Sequence, residues 1–549
     1  MNLHKLQNGS DIRGVALPLI EDQPVTLGKL ETYSLTYGFV KWLSDKTGKE
    51  IKDLSICVGR DSRLSGEKLE GYIFQLLNTT GSISFSSGLS STPAMFMSTI
   101  FPEIEADGAI MITASHLPSN RNGFKYFDKN GGLDKSDIKD IISYAETLTD
   151  KEDNSIAEDN SIAIDDISAS SIEPYKRVNL MNLYALHLQN KIIEGIAKET
   201  GRESGKTPSL TAGLVNKGID KIVNTINDRL VLNNLHILVD AGNGAGGFYA
   251  EKVLKPLGAK IDGSQFLEPD GNFPNHIPNP ENKEAMDSIC NAVKEYKPDL
   301  GLIFDTDVDR ASAVDELGNA INKNSIVAMA ALLVTDSSLN CDDKPIIVTD
   351  SITSNELTDF ITKEMGFEHL RFKRGYKNVI NKSIELNESG QFSPLAIETS
   401  GHAAFLENYF LDDGAYLATK IVIKTALLKK QGRTLSGVLS KLQHPAESIE
   451  KRLPINDNNF SAYADEILKA VGVWVKDNPD KVSLELPNYE GIRINFNKEN
   501  GNGWALLRKS LHDPIMPVNI ESTDIGGTDI IWNQLEEVLD KFKNLDLII

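Results

Sequence analysis

GAIMITASHLPSNRNGFKYF, residues 108 to 127, opens as an unbroken apolar run, breaks at a turn containing Thr, Ser and Pro, and resumes as an aromatic stretch. A short apolar run bounded by turn residues reads as a buried strand. Ser115 therefore stands directly after a strand, next to His116 and ten residues before Lys125, where a nucleophile would stand. A lone serine in such a turn more often only satisfies neighbouring backbone. Its meaning depends on the company it keeps.

The same grammar recurs outward from this stretch. LSICVG (54 to 59), HILVD (236 to 240), LGLIFD (300 to 305) and PIIVTD (345 to 350) are short apolar runs ending in Gly or Asp. EKLEGYIFQLLNTT (67 to 80) and NKEAMDSICNAVKEY (282 to 296) carry helical periodicity. Alternation of this kind predicts α/β layers with a largely parallel sheet, whose ligands gather at the carboxyl ends of the strands. A chain of 549 residues, 40% hydrophobic, has material for about three to five domains. Breaks are expected near 175, 322 and 448. An acidic, serine-rich insertion spans 150 to 173, and a second polar insertion spans 199 to 213.

Composition narrows the function. A formal net charge of -21 without long Lys/Arg runs argues against a nucleic-acid surface. No leader-like apolar segment opens the chain and no run of 18 apolar residues occurs, so neither a signal peptide nor a membrane span is expected. Cys57, Cys290 and Cys341 share no metal-ligand or disulfide spacing, which fits a reducing cytoplasm.

DTDVDR, residues 305 to 310, is the second signal: alternation puts Asp305, Asp307 and Asp309 on one side of the chain as hard oxygen donors suited to magnesium. With Glu316 at the twelfth position it nearly matches a calcium-binding EF-hand loop. However, Arg310 takes the place of the turn glycine, and the preceding LGLIF is a strand. AIETSGHAAF (396 to 405) offers Glu398, Ser400 and His402 within five positions. LLRKSLHDP (506 to 514) offers Arg508, Ser510 and His512 as donors to phosphate oxygens. FKRGYKN (372 to 378) and GRDSRLSG (59 to 66) are further basic turns that could contact an anion. HILVDAGNGAGG satisfies a dinucleotide fingerprint through Gly242, Gly244 and Gly247, with Asp262 beyond, but no second mononucleotide-binding half accompanies it.

Taken together, these motifs resemble the α-D-phosphohexomutase family, whose members carry four motifs in fixed order, one per domain. TASHLPSNRNGFK is similar to its phosphoserine loop, DTDVDR to its metal loop, ETSGH to its sugar loop and RKSLHDP to its phosphate loop, across essentially the whole chain. DIRG (11 to 14) and VDAGNGAG (239 to 246) resemble further family segments, which accounts for the glycine fingerprint without a nucleotide.

The resemblance implies three related α/β domains with mixed sheets and a smaller C-terminal α+β domain around a central cleft. Their spans would be 1 to 175, 176 to 321, 322 to 447 and 448 to 549. It implies a cytoplasmic hexose phosphomutase for glucose or mannose phosphates, a monomer or homodimer, with Mg2+ as cofactor and hexose 1,6-bisphosphate as activator. Ser115 would carry the phosphoryl group and complete the metal coordination of Asp305, Asp307 and Asp309. Arg310 would steady the phosphate. Lys125 and Arg13 match positions implicated in proton transfer, with His116 and His402 close by. Lys373, Arg374, Gly375, Tyr376, Glu398 and Ser400 would hold the sugar, and Arg508, Ser510 and His512 the other phosphate.

Three departures loosen the substrate. The first loop reads TASHLP where TASHNP is commoner, Thr399 stands where Glu, Met or Gln is usual, and HDP replaces a TEP-like run. The alternatives are a bisphosphate synthase, which would release the intermediate, and a catalytically weak sugar-phosphate-binding homologue.

Overall fold

The computed structural model describes residues 2–150, 175–199, 230–335, 344–510 and 513–547. Apart from their first residues, the two expected insertions lie outside the described residues, as do Cys341 and His512. The chain divides into two compact units, Met1–Asn322 with Ser400–Gly437, and Lys323–Thr399 with Val438–Ile549.

The first unit holds two mixed sheets. In the larger, Ser55–Arg60 pairs in parallel with both Ile83–Leu89 and Gly108–Ile112. The strand Arg121–Asp128 then returns antiparallel to Gly108–Ile112, and Asp11–Val15 lies antiparallel beyond it. The expectation of a largely parallel sheet thus holds only at the centre. A parallel return needs a crossover of about a dozen residues or more, and the turn 113–120 is too short for one. In the second sheet, Leu300–Phe304 is parallel to Ile237–Asp240 and antiparallel to Ala311–Val314, because 305–310 is likewise only a hairpin connection. Both motif loops are therefore tight turns at the carboxyl end of a buried strand.

Helix Lys29–Thr47 packs on Lys135–Asp150 and on Gly66–Thr80, closing a core in which Phe39, Leu43, Ile56, Ile73, Ile110 and Ile141 are fully buried. Burying such side chains contributes about 1.5–3 kcal/mol each, and this holds the strand ends in place. Cys57 and Cys290 are buried free thiols, and burial pushes the Cys57 thiol up to about 12, which makes it inert.

In the second unit, Ile346–Asp350 lies between Glu368–Phe372 and Leu395–Ile397, all parallel. Five antiparallel strands form a further sheet in the order Glu447–Pro454, Ile515–Ser522, Gly503–Leu507, Ile492–Phe496, Val482–Leu484. Helices Phe460–Asp477 and Gly527–Leu539 bury Ile467, Val471, Ile531 and Leu535 against it.

One buried carboxyl on this sheet makes the unit's stability depend on pH. Glu521 is 8% exposed and accepts hydrogen bonds from the Trp504 indole (3.1 Å) and the Ser448 hydroxyl (3.2 Å). Burial, and then the nearby Glu356, push it up to about 7, against the opposing pull of Arg493. The folded state therefore favours the protonated form. Its contribution is complete below the ordinary glutamate range and declines as pH rises towards 7. Glu521→Gln should melt several degrees above the wild type at pH 8, with the gap closing near about pH 5, as calorimetry across that range would show.

Among the described residues, no helix is long and apolar enough to cross a membrane.

Candidate active site

The site is built in the first unit from the two hairpin turns. Ser115 has a left-handed backbone (φ 49°), and so does Val308 in the acidic turn (φ 68°), a rare posture for a β-branched residue. Such outliers cost about 1–3 kcal/mol each and persist where the surroundings over-determine them. The Ser115 hydroxyl donates to Asp305 Oδ2 at 2.9 Å and lies 3.3 Å from His116 Nδ1. Arg310 reaches four partners with its side chain: Nε to Asp305 Oδ2 (3.1 Å), Nη2 to Ser115 Oγ (3.1 Å) and to His116 Nδ1 (2.7 Å), and Nη1 to Asn279 Oδ1 (3.2 Å). Lys125 donates to Asp309 Oδ2 and lies 3.9 Å from Asp307.

The two imidazoles differ in charge, one neutral and one cationic. Burial, then Arg310 and His402, push His116 down to about 3, so at neutral pH its ring is neutral and accepts from Arg310 Nη2 at 2.7 Å. Burial works against protonating His402, but Asp412, 2.7 Å from its Nδ1, and Asp309 raise it to about 9. His402 is a fixed cation here.

The three acidic side chains fit a divalent cation. One oxygen from each of Asp305, Asp307 and Asp309 lies within 4.8 Å of the others, and all three residues are fully buried. Asp307 Oδ1 and Asp309 Oδ1 are buried yet accept no hydrogen bond, a state that costs free energy unless a cation is held there. Burial and then Asp309 hold Asp305 well above the carboxylate range, whereas Lys125, His402 and Arg310 outweigh burial and keep Asp309 well below it. Hard carboxylate oxygens at this spacing suit magnesium. The calcium-loop reading fails on Glu316, whose carboxylate accepts from the Ser436 hydroxyl and backbone instead.

Arg13 donates to Asp11 at 2.7 Å and to the Thr113 carbonyl. Its place comes from strand pairing, Arg13 facing Gly123, where a Cβ would sit 3.0 Å from the Arg13 side chain. The nucleotide fingerprint has a structural cause. A Cβ on Gly244 would meet the Thr306 carbonyl at 2.6 Å, and the Ala245 N–H donates to that oxygen at 2.7 Å, so the glycine turn is packed beneath the acidic loop.

Three contributors had weak signals in sequence. Thr92, in the helix Thr92–Met97 capped by Ser91, donates its hydroxyl to Asp307 Oδ2 and its N–H to the Asp307 carbonyl. Asp412, bridged to Ala404, and Asn279 are the other two, and neither stands in a recognisable sequence motif. Outer partners of this kind are worth about 10- to 100-fold in metal affinity. Thr92→Val should weaken Mn2+ binding by about 10-fold in a calorimetric titration.

The second unit carries the remaining candidates. Gly375 N–H donates to Glu398 Oε1 at 2.6 Å, Arg374 N–H donates to Glu490 at 3.1 Å, and Lys373 is exposed. Tyr376 begins the helix Tyr376–Glu388. Arg508 Nε is buried and makes no hydrogen bond, and burial, then Arg374, lower its pKa. Ser510 Oγ accepts the Asp513 N–H at 3.1 Å. Thr399 is turned inward, its hydroxyl donating to Asp350 at 2.9 Å. Ser400 belongs to the first unit, where its buried hydroxyl makes no hydrogen bond.

Comparison with known proteins places the chain in a family. Family models described as phosphoglucomutase/phosphomannomutase, alpha/beta/alpha domains I, II and III match residues 5–152, 216–318 and 322–445 in order. A phosphomannomutase/phosphoglucomutase of Pseudomonas syringae pv. tomato is 28% identical over 93% of this chain and 90% of its own. A phosphoglucosamine mutase of Clostridium kluyveri is 26% identical over 98% and 99%. A crystal structure of a family protein from Burkholderia thailandensis superposes with a TM-score of 0.73 over 100% of both chains at 23% identity. With three family domains in sequence order and an acidic turn beside a strand-end serine, the chain belongs to the phosphoglucomutase/phosphomannomutase family of the α-D-phosphohexomutase superfamily, and is an isomerase-type phosphotransferase.

Proposed function

We propose that this enzyme interconverts hexose 1-phosphate and hexose 6-phosphate, glucose or mannose, through a phosphoserine at Ser115 and a hexose 1,6-bisphosphate intermediate. The observation that carries this is the placement of the Ser115 hydroxyl, 2.9 Å from Asp305 and 3.1 Å from Arg310, beside two buried carboxylate oxygens with no hydrogen bond. Such a hydroxyl can pass a phosphoryl group to a substrate oxygen and take the other phosphate back.

Magnesium held by Asp305, Asp307, Asp309 and the Ser115 oxygen would neutralise charge on the transferring oxygens, where phosphoryl transfer gains most of its rate. Arg310 steadies the same oxygens. Lys125, 4% exposed and donating to Asp309, gives a proton to the departing oxygen, and the amine this leaves takes the proton of the attacking hydroxyl. Arg13 is not a proton carrier, because a guanidinium does not deprotonate in proteins. It holds the Thr113 carbonyl and so the approach to Ser115. Glu398, Ser400 and residues 373 to 376 hold the sugar hydroxyls, and Arg508, Ser510 and His512 hold the phosphate that is not reacting. The four segments 1–175, 176–321, 322–447 and 448–549 each supply one of these loops.

The inward turn of Thr399 removes one side chain from sugar selection, and amino-sugar relatives stand among the matches. Substrate range is therefore tested broadly. Glucose, mannose and glucosamine 1-phosphates would be incubated with Mg2+ and trace hexose 1,6-bisphosphate, and the products followed by phosphorus NMR. The 6-phosphate should form, fastest from glucose or mannose. Accumulation of the bisphosphate alone would make the enzyme a synthase. Absence of any transfer would make it a binding protein.

A further inference from the structure

Arg63 was legible in the sequence only as one of several basic turn residues open to an anion. The structure gives it another role. It is 1% exposed, and its guanidinium donates to four backbone carbonyls: Ser115 (2.5 Å), Leu117 (2.5 Å), Pro118 (2.8 Å) and Arg121 (3.0 Å). Three lie on the turn that carries Ser115, and the fourth, Arg121, opens the strand that follows it.

Sheet register brings the two together. Ser55–Arg60 runs parallel to Gly108–Ile112 with Arg60 opposite Ile112, so the residues after each strand emerge side by side. Asp61 supplies the counter-charge, its Oδ2 3.3 Å from Arg63 Nε and its Oδ1 accepting the Arg63 N–H at 2.9 Å. The Phe273 ring lies 5.4 Å from the guanidinium. A guanidinium presents five N–H donors in one plane, whereas a lysine ammonium offers three donors from a single point.

We propose that Arg63 is a positioning residue that fixes the backbone of the Ser115 turn for phosphoryl transfer, an inference that rests on Ser115 being the phosphoryl carrier. The turn must keep a non-glycine residue at φ 49° and keep its hydroxyl between Asp305 and Arg310. In a trans peptide the N–H points opposite to the C=O. Drawing the Ser115 and Pro118 carbonyls to Arg63 therefore turns the N–H groups of His116 and Ser119 away from it. Among the described residues neither N–H donates to another protein group, which leaves both available to an anion.

The test uses the full-length enzyme, glucose 1,6-bisphosphate as phosphoryl donor, and intact-protein mass spectrometry after rapid quenching to time the phosphorylation of Ser115. Arg63→Lys keeps the charge and cannot span the four carbonyls. Asp61→Asn combined with Arg63→Met removes both buried charges together, so neither is left unpaired. In each variant the phosphorylation rate and kcat should fall by about 100-fold while KM stays near wild type and the protein still folds, with a melting temperature lowered by the carbonyls left unpaired, because misplacement by about 1 Å costs that much in rate. A folded variant that phosphorylates Ser115 at the wild-type rate would overturn the proposal. So would failure of both variants to fold, which would make Arg63 purely structural. If the wild type itself takes no phosphoryl group on Ser115, the phosphoserine reading falls, and this inference with it.

Discussion

Ser115→Ala should lower kcat by at least about 10^4-fold, the scale on which removing a covalent nucleophile acts. The loss comes from chemistry and not from folding. Among the described residues the Ser115 side chain bonds only to Asp305, Arg310 and His116, and Arg310 has its own bond to Asp305 at 3.1 Å that does not depend on the hydroxyl. The melting temperature should therefore move little. The variant should still bind Mn2+, since the three aspartates remain. Steady-state assays primed with bisphosphate and a thermal melt check both halves. Wild-type turnover in a folded Ser115→Ala protein would remove Ser115 from the mechanism.

Asp307→Asn should lower kcat by about 10^3-fold, comparable to losing one preorganised electrostatic contact to the transferring group. Of the three acidic residues it is the one with the least counter-charge in this structure. Asp309 takes Lys125 and Asp305 takes Arg310, whereas Asp307 has the Thr92 hydroxyl and a lysine 3.9 Å away. Its Oδ1 is buried without a hydrogen bond. Neutralising it removes a repulsion that the fold otherwise tolerates for function. Stripped of metal with a chelator, Asp307→Asn should melt a few degrees above the wild type, and added Mg2+ should erase or reverse that gap. A variant less stable than the wild type in the chelator would contradict the electrostatic account.

The strand-end loops were legible because two local patterns coincide in each: an apolar run long enough for a buried strand, then a short turn dense in chemistry. That coincidence marks Ser115 and the aspartates of DTDVDR as candidates, and only the company of the other motifs gives Ser115 its meaning. The coincidence does not show what joins them. Thr92 meets Asp307, and Arg63 meets the 115–121 carbonyls, through sheet register and packing between residues far apart in sequence. No local window shows such a meeting. The two histidines look alike in sequence, yet burial and Arg310 push His116 down while Asp412 and Asp309 raise His402 against its own burial. The mixed sheets needed loop length to be weighed against crossover length, which the apolar pattern does not report. The nucleotide fingerprint shows the converse failure. Its glycines are required by backbone contact with Thr306, so a correct structural signal carried a wrong functional meaning.

The central claim is that Ser115 carries the group in transit. It is tested most directly by loading the enzyme with 32P from labelled hexose 1,6-bisphosphate, removing excess donor, and mixing with unlabelled glucose 1-phosphate under rapid quench. The account predicts that label leaves Ser115 at least as fast as kcat and appears first in the bisphosphate and then in the 6-phosphate. Label that stays on the protein during turnover, or departs only as inorganic phosphate, would contradict it.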